Sequence, residues 1–167
     1  MKHTFPPASS FRSIWRNPIH FVAFGFGSGI IPVAPGTFGT LAAIPLYILM
    51  MHLPLVWYIV LTLVFIIASI IICDIASRDL GLHDHPGMVL DEIVGYLLTM
   101  VGAPLGVFWI FVGFVLFRIF DIWKPWPIRW IDRKVTGGLG IVLDDLLAAV
   151  YSLIILQLLA MALVYYD

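Results

Sequence analysis

The chain has 167 residues, of which 62% are hydrophobic and only 11% charged, with a mean hydropathy of +1.05. A water-soluble domain carries about 25% charged and roughly 45 to 50% apolar residues, so these figures exclude an ordinary soluble globule and every disordered or fibrous class, and a bilayer is the expected solvent. Nine Lys and Arg stand against ten Asp and Glu, which leaves no broad cationic surface for nucleic acid. The single cysteine, Cys73, excludes an internal disulfide and a CxxC metal site. The length suits one domain over residues 1–167.

Residues 1–16 lack a short apolar stretch ending at a small-residue cleavage site, so they read as a cytoplasmic tail and not as a signal peptide. Charged side chains are then missing from 17–73, 93–117 and 146–166, stretches of 57, 25 and 21 residues. An apolar helix needs about 20 residues to cross roughly 30 Å of hydrocarbon. Within the first stretch, Phe21 to Thr37 is rich in Gly and Pro, which predicts a shaped loop or a short helix. Phe38 to Cys73 is long enough for two helices, with a tight turn at Met50, Met51, His52, Leu53 and Pro54. Ile93 to Phe117 fits either one tilted crossing or two half-length helices bent at Gly102, Ala103, Pro104 and Gly106. The positive-inside rule favours the second. If the middle segment returns, all nine basic residues share the cytoplasmic side, whereas a single crossing strands Arg118 to Lys134 outside. Half helices of about 12 residues reach only about 18 Å, so a re-entrant hairpin with its bend packed by protein is expected. Leu146 to Tyr166 fits one transmembrane helix, with Tyr165 and Tyr166 in the interfacial belt. The expected fold is therefore all-α: a small helical integral membrane protein of helical hairpins with polar loops at the cytoplasmic face.

That topology gathers nine of the ten acids at one membrane face, in two loops, Asp74 to Glu92 and Arg118 to Asp145. Two adjacent pairs, Asp91-Glu92 and Asp144-Asp145, sit where apolar helices begin. Either pair alone could complement a helix N-terminus, worth about 0.3 to 1 kcal/mol. Both pairs at one depth beside Asp121 repel, and repulsion among carboxylates calls for a hard cation such as Mg²⁺, which carboxylates hold together with water and phosphate oxygens. Gly25, Gly27, Gly29, Gly36 and Gly39, with Pro32 and Pro35 between them, lead into the helix near Phe38. Such a stretch suits a backbone cradle for phosphate or close helix packing. Arg118 and Lys124 flank Asp121 at i−3 and i+3, so Arg118 shares a face with Asp121 if the helix continues that far. Arg129, Arg133 and Lys134 either hold an anionic lipid headgroup or simply follow the positive-inside rule, which is enough for most of them, and Trp123, Trp126 and Trp130 suit an interfacial anchor. His83 and His85 lack the third soft ligand that zinc needs, which leaves them loop structure or proton transfer. Cys73 to Arg78 is one residue short of a cysteine-phosphatase loop, and no GxSxG is present.

Three blocks together resemble the phosphatidylglycerophosphatase A family: GFGSGIIPVAPGTFGTLAAIP (25–45), HDHPGMVLDEIVG (83–95) and FRIFDIWKPWPIRWIDRKVTGGLGIVLDDLLAAV (117–150). They cover about two-fifths of the chain, and FD-x2-KPWPI with GG-x-G-x3-DD is the most specific part. Thr40 stands where the family often has Ser, which keeps the hydroxyl. The resemblance implies an enzyme at the cytoplasmic face of a bacterial inner membrane that uses Mg²⁺ to remove the terminal phosphate of an anionic phospholipid, phosphatidylglycerophosphate. On that basis Asp91, Glu92, Asp144 and Asp145 are expected to hold Mg²⁺, with Asp121 as a further ligand or the base that orients water. Gly36, Thr37, Arg118 and Lys124 are expected to neutralise the phosphate, and His83 and Asp84 to assist proton transfer. A small channel or transporter, or a non-catalytic subunit of a membrane complex, are the rival readings. A channel would need ionisable groups within its spans, where only His52 stands, at the turn. Oligomeric state leaves no mark in the sequence.

Overall fold

The structure, a computed structural model, describes residues 14–82 and 85–166, and among these it contains helices and no strand. Asn17 caps α1 (Pro18–Ala23), its side chain accepting from the Ile19 amide at 2.9 Å, and a 3-10 turn covers Gly25–Ile30. The Gly-Pro-rich stretch is thus short helix and turn, as its composition suggested. The next helix, α2 (Pro35–Met50), is joined to α3 (Leu55–Leu80) by a turn at 51–54, where the Met-His-Leu-Pro sequence falls. α4 (Leu90–Thr99) and α5 (Val107–Trp123) divide the middle segment at a bend around Gly102 and Gly106. They are unequal, 10 and 17 residues, rather than two halves. α6 (Ile128–Lys134) leads into α7 (Gly137–Tyr166).

Two boundaries differ from expectation, with consequences for the polar residues. α3 runs past Cys73 to Leu80 before Gly81, at φ 66°, ends it, so Asp74, Arg78 and Asp79 are helical rather than in a loop. α7 starts at Gly137, nine residues before Leu146, so Asp144 and Asp145 lie two turns inside it and not at its entrance. Helix-terminus effects fade within the first turn, so a capping role no longer accounts for that pair. The apolar count missed both extensions because polar residues end a hydrophobic stretch without ending a helix.

α4 is the centre of the fold. α2 and α3 each pack on α4 rather than chiefly on one another, and α7 packs on α3, α4, α5 and α6. Three tyrosines join these elements: Tyr47 meets Tyr58 and Tyr96 edge-on with ring centres 6.3 and 6.1 Å apart, and the Tyr58 hydroxyl donates to the Leu97 carbonyl at 2.8 Å. At the α4–α5 bend, Gln157 of α7 donates to the Val101 carbonyl at 2.8 Å. Backbone outside regular helix needs such internal partners where it is buried.

The start of α7 is fixed by α3. Asp74 Oδ1 accepts the Gly138 amide at 3.0 Å, supplying a cap from another helix, and Arg78 holds the same carboxylate at 2.6 Å. The crossing is tight, because a Cβ on Gly138 would lie 2.1 Å from the Ile70 carbonyl oxygen. Large apolar side chains of α3, α5 and α7, among them Val56, Ile67, Phe111 and Leu158, point outward. Leu55–Leu80 and Gly137–Leu163 are long and apolar enough to cross a membrane. A soluble monomer rarely exposes so much apolar surface. Gly138→Ala should therefore destabilise the fold by about 2 kcal/mol or more, since backbone rather than a yielding side chain blocks the new methyl. Thermal unfolding in detergent reads this, and a melting temperature equal to that of the wild type would mean that α3 and α7 do not cross so closely.

Candidate active site

Asp91 and Glu92 occupy the first turn of α4, where the exposed amides of the helix N-terminus favour anions. Asp91 Oδ1 accepts the Glu92 amide at 3.1 Å. α7 packs along α4 and brings in Asp144 and Asp145. Successive residues on a helix point about 100° apart, so the pair divides. Asp145 turns to Asp91 and Glu92, and one carboxylate oxygen from each of the three lies within 4.8 Å of the others. Asp144 turns to Lys124, with Oδ2 2.5 Å from the ammonium nitrogen. It was expected beside the other three.

α5 adds Arg118 and Asp121 one turn apart, hydrogen-bonded to each other as expected for a helix that continues to Trp123. Asp121 faces Asp145. The N-terminus of α2 closes the other side: a Cβ on Gly36 would lie 2.2 Å from Glu92 Oε1 and 3.0 Å from an Arg118 guanidinium nitrogen. Thr40 holds the Gly36 carbonyl from one turn on at 2.8 Å, and Thr37 is half-buried beside it. Lys124, the residue that ends α5, bonds Asp144 and also Asp132 of α6 at 3.2 Å, so it ties three helices together instead of flanking Asp121. Ala34 before α2 and Lys124 after α5 both have left-handed backbone, φ 50° and 45°. Such residues cost of order 1 kcal/mol or more and concentrate at functional sites.

Five carboxylates thus surround two cations, and Asp91, Asp121, Asp144 and Asp145 are buried. Burial pushes the Glu92 carboxyl up to about 8; its hydrogen bond to Asp91 opposes the rise, Asp145 and Asp121 add to it, and Arg118 counters it. For Lys124 burial favours the neutral amine, yet the Asp144 carboxylate, seconded by Asp132 and Asp145, outweighs it and holds the ammonium above its usual range. Glu92 Oε2 and Arg118 Nε are buried without a hydrogen-bond partner. A carboxylate oxygen and a guanidinium N–H in that state are a ready acceptor for a cation and a ready donor for an anion.

Other expected residues fall elsewhere. Gly25, Gly29 and Gly39 back onto Gly87 and Val89, so these glycines serve close packing against the loop before α4, and Gly36 is the one that abuts the acids. His85 is buried against Phe24 at 5.0 Å, its Nδ1 accepting the Gly87 amide at 3.0 Å, while burial lowers its proton affinity. That is a core histidine. His83 and Asp84 lie outside the described residues. Sequence reasoning missed Asp132 as a partner of Lys124 and Asp74 as the cap of α7, because neither spacing is local enough to show in a linear pattern.

Replacing Lys124 leaves Asp144, with 8% of its side chain exposed, facing Asp145 without the ammonium. Lys124→Met should therefore cost about 2 kcal/mol, below the roughly 3 to 5 kcal/mol of a fully buried pair because the lysine is partly solvated. A thermal melt in detergent shows this as a lowered transition; an unchanged one would mean that the Lys124–Asp144 contact is incidental.

Residues 21–160 match the family described as Phosphatidylglycerophosphatase A. The chain is 47% identical to phosphatidylglycerophosphatase A of Escherichia coli over 81% of its length and 80% of that protein, and 43% identical to the enzyme of the same name from Haemophilus influenzae over 83% and 86%. It is 38% identical to a Bacteroides thetaiotaomicron protein provisionally named a phosphatidylinositol-3-phosphatase, over 81% and 89%. No solved structure matches it. The matched segment spans α2 through most of α7, including the acidic cluster, Arg118 and Lys124, and the chain belongs to the phosphatidylglycerophosphatase A family of phosphatases.

Proposed function

We propose that the chain is a Mg²⁺-dependent, multi-pass enzyme of the bacterial inner membrane that removes the terminal phosphate of phosphatidylglycerophosphate at the cytoplasmic face. The convergence of Asp91, Glu92 and Asp145 beside Arg118 and Gly36 carries this reading. The donor set is oxygen only, as hard divalent ions prefer, and the buried Glu92 Oε2 has no protein partner. Asp91, Glu92 and Asp145 would hold the ion. When bound, Mg²⁺ polarises phosphoryl oxygens and offsets their charge.

The remaining residues supply positioning and charge. Arg118, fixed by Asp121, offers its guanidinium to the non-bridging phosphoryl oxygens. At the α2 N-terminus the Thr37 amide already donates to the Ala34 carbonyl at 2.9 Å, so the Gly36 amide and the Thr37 hydroxyl are the donors offered to the same anion. Asp121, held in place by its bond from Arg118, accepts a hydrogen bond from water and orients it in line with the leaving glycerol oxygen. Little basicity is needed, since phosphoryl transfer passes through a loose transition state in which positioning and electrostatics dominate. Water adds to phosphorus, the P–O bond to glycerol breaks, and the proton that the water loses is balanced by the one gained by the departing glycerol oxygen, which leaves the free alcohol and inorganic phosphate. Lys124 acts by holding Asp144 and Asp132, which fixes α7 relative to α5.

Phosphate release from phosphatidylglycerophosphate by the purified protein tests this reading. Release should require added Mg²⁺ and stop with a chelator. Asp145→Asn should lower kcat by on the order of 10² or more, and Asp144→Asn, one step removed through Lys124, by less. Undiminished release by Asp145→Asn in chelator would overturn the reading.

Orientation has its own measurement. Cysteine labels placed at Arg78 and Arg133 in a Cys73→Ser background should react from the cytoplasmic side and a label at Asp167 from the other. Reaction of the first two from opposite sides would mean that α4 and α5 do not form a returning pair.

A further inference from the structure

We propose that Arg129 and the groove beside it bind the inner phosphodiester and adjoining acyl chain of the lipid, so that the enzyme selects substrates carrying a second, non-reacting phosphate. This rests on the phosphatase reading above and names a subsite for it. An open groove of about 630 Å³ runs along the outer side of α5, with apolar walls that include Phe114, Ile119, Ile122 and Trp123 and with Arg118 and Arg129 as its two charged members. Arg118 belongs to this groove and to the acidic cluster at once, since the same side chain bonds Asp121 and abuts Gly36. Arg118 is therefore the wall that the groove shares with the candidate active site.

An apolar trough with two guanidinium groups has the chemistry of a phospholipid with two phosphates. Ile119, Ile122 and Trp123 are exposed and offer hydrocarbon contact along the helix. Arg129 sits one residue into α6, and its Nη2 donates to the Trp123 carbonyl at 3.0 Å, which holds the guanidinium at the end of α5. A charge that served only to retain a loop in the cytoplasm would need no such fixed position. Arg133 and Lys134, carried by the same short helix, do not line the groove. In phosphatidylglycerophosphate a single glycerol separates the terminal monoester from the diester phosphate. With the monoester at Arg118 and the acids, the diester falls to the other cation of the groove. Phosphatidic acid has no diester and would leave Arg129 without a partner.

Two inhibitors separate the subsites. Short-chain phosphatidylglycerol has the diester and lacks the monoester, while inorganic phosphate mimics the monoester alone. In Arg129→Ala, the inhibition constant for phosphatidylglycerol and the KM for phosphatidylglycerophosphate should both rise on the order of tenfold, the loss expected for one charge-assisted hydrogen bond. Inhibition by inorganic phosphate should stay as in the wild type, Arg129→Lys should recover part of the loss, and Arg133→Ala should leave phosphatidylglycerol inhibition unchanged. Unaltered phosphatidylglycerol inhibition in Arg129→Ala would overturn the proposal. So would an equal weakening of inorganic phosphate, which would place Arg129 at the reacting group, or an equal effect of Arg133→Ala, which would reduce it to general surface charge. Absence of phosphate release from the wild type would instead refute the phosphatase reading. Direct binding of short-chain phosphatidylglycerol against short-chain diacylglycerol in detergent then reads the subsite independently, with wild type and Arg129→Ala expected to differ only for the phosphate-bearing lipid.

Discussion

The burial of Asp145 against Asp91 and Glu92, where α7 crosses α4, is the constraint on which the rest of the structure depends. Three carboxylates with oxygens within 4.8 Å repel strongly in a medium of low dielectric constant. Folding alone does not favour that arrangement. The protein opposes the repulsion by directed contacts: Arg118 on Asp121, Lys124 on Asp144, and the α4 N-terminus beneath Asp91 and Glu92. A buried Glu92 oxygen still lacks a partner, the condition a bound cation would relieve. The same crowding would favour a bound cation and makes this crossing a weak point of the fold.

The scaffold that enforces this crossing is made of small contacts far from the acids. Asp74 caps α7 and Gly138 lets α7 lie on α3, while Gly95 does the same for Phe117 of α5 on α4, where a Cβ would come within 2.6 Å of the ring. If these helices lie in lipid, there is little hydrophobic driving force between them, and close backbone approach and interhelical hydrogen bonds carry the packing. Gln157 on Val101 and Tyr58 on Leu97 are contacts of that kind, since each satisfies a carbonyl at or near the α4–α5 bend. The candidate site thus sits on a helix bundle held together by these structural polar contacts.

Much of this was legible in the sequence, and the reasons differ from element to element. The apolar stretches located α2, α3, α5 and the body of α7, because hydrocarbon thickness and the absence of charge leave few alternatives. The turn at Pro54 and the bend near Gly102 followed from residue types that interrupt helices. The Arg118–Asp121 pair followed from helical spacing. The acids were recognisable as a group, but their division was not: that Asp144 faces Lys124 while Asp145 faces Asp91 depends on the rotation of α7, which Asp74, 64 residues earlier in α3, helps to set by holding the Gly138 amide. The Gly-rich segment read equally well as a phosphate cradle or as packing. Only the contacts separate these, with Gly36 against Glu92 and its neighbours against Gly87 and Val89.

The account stands on Asp91, Glu92 and Asp145 forming one divalent-cation site, and calorimetric titration of the detergent-solubilised protein with Mg²⁺, without substrate, tests it most directly. The wild type should show saturable binding that is lost in Glu92→Gln and in Asp145→Asn and kept in Asp132→Asn, whose carboxylate serves Lys124 instead. Binding that survives both of the first two substitutions would contradict the account.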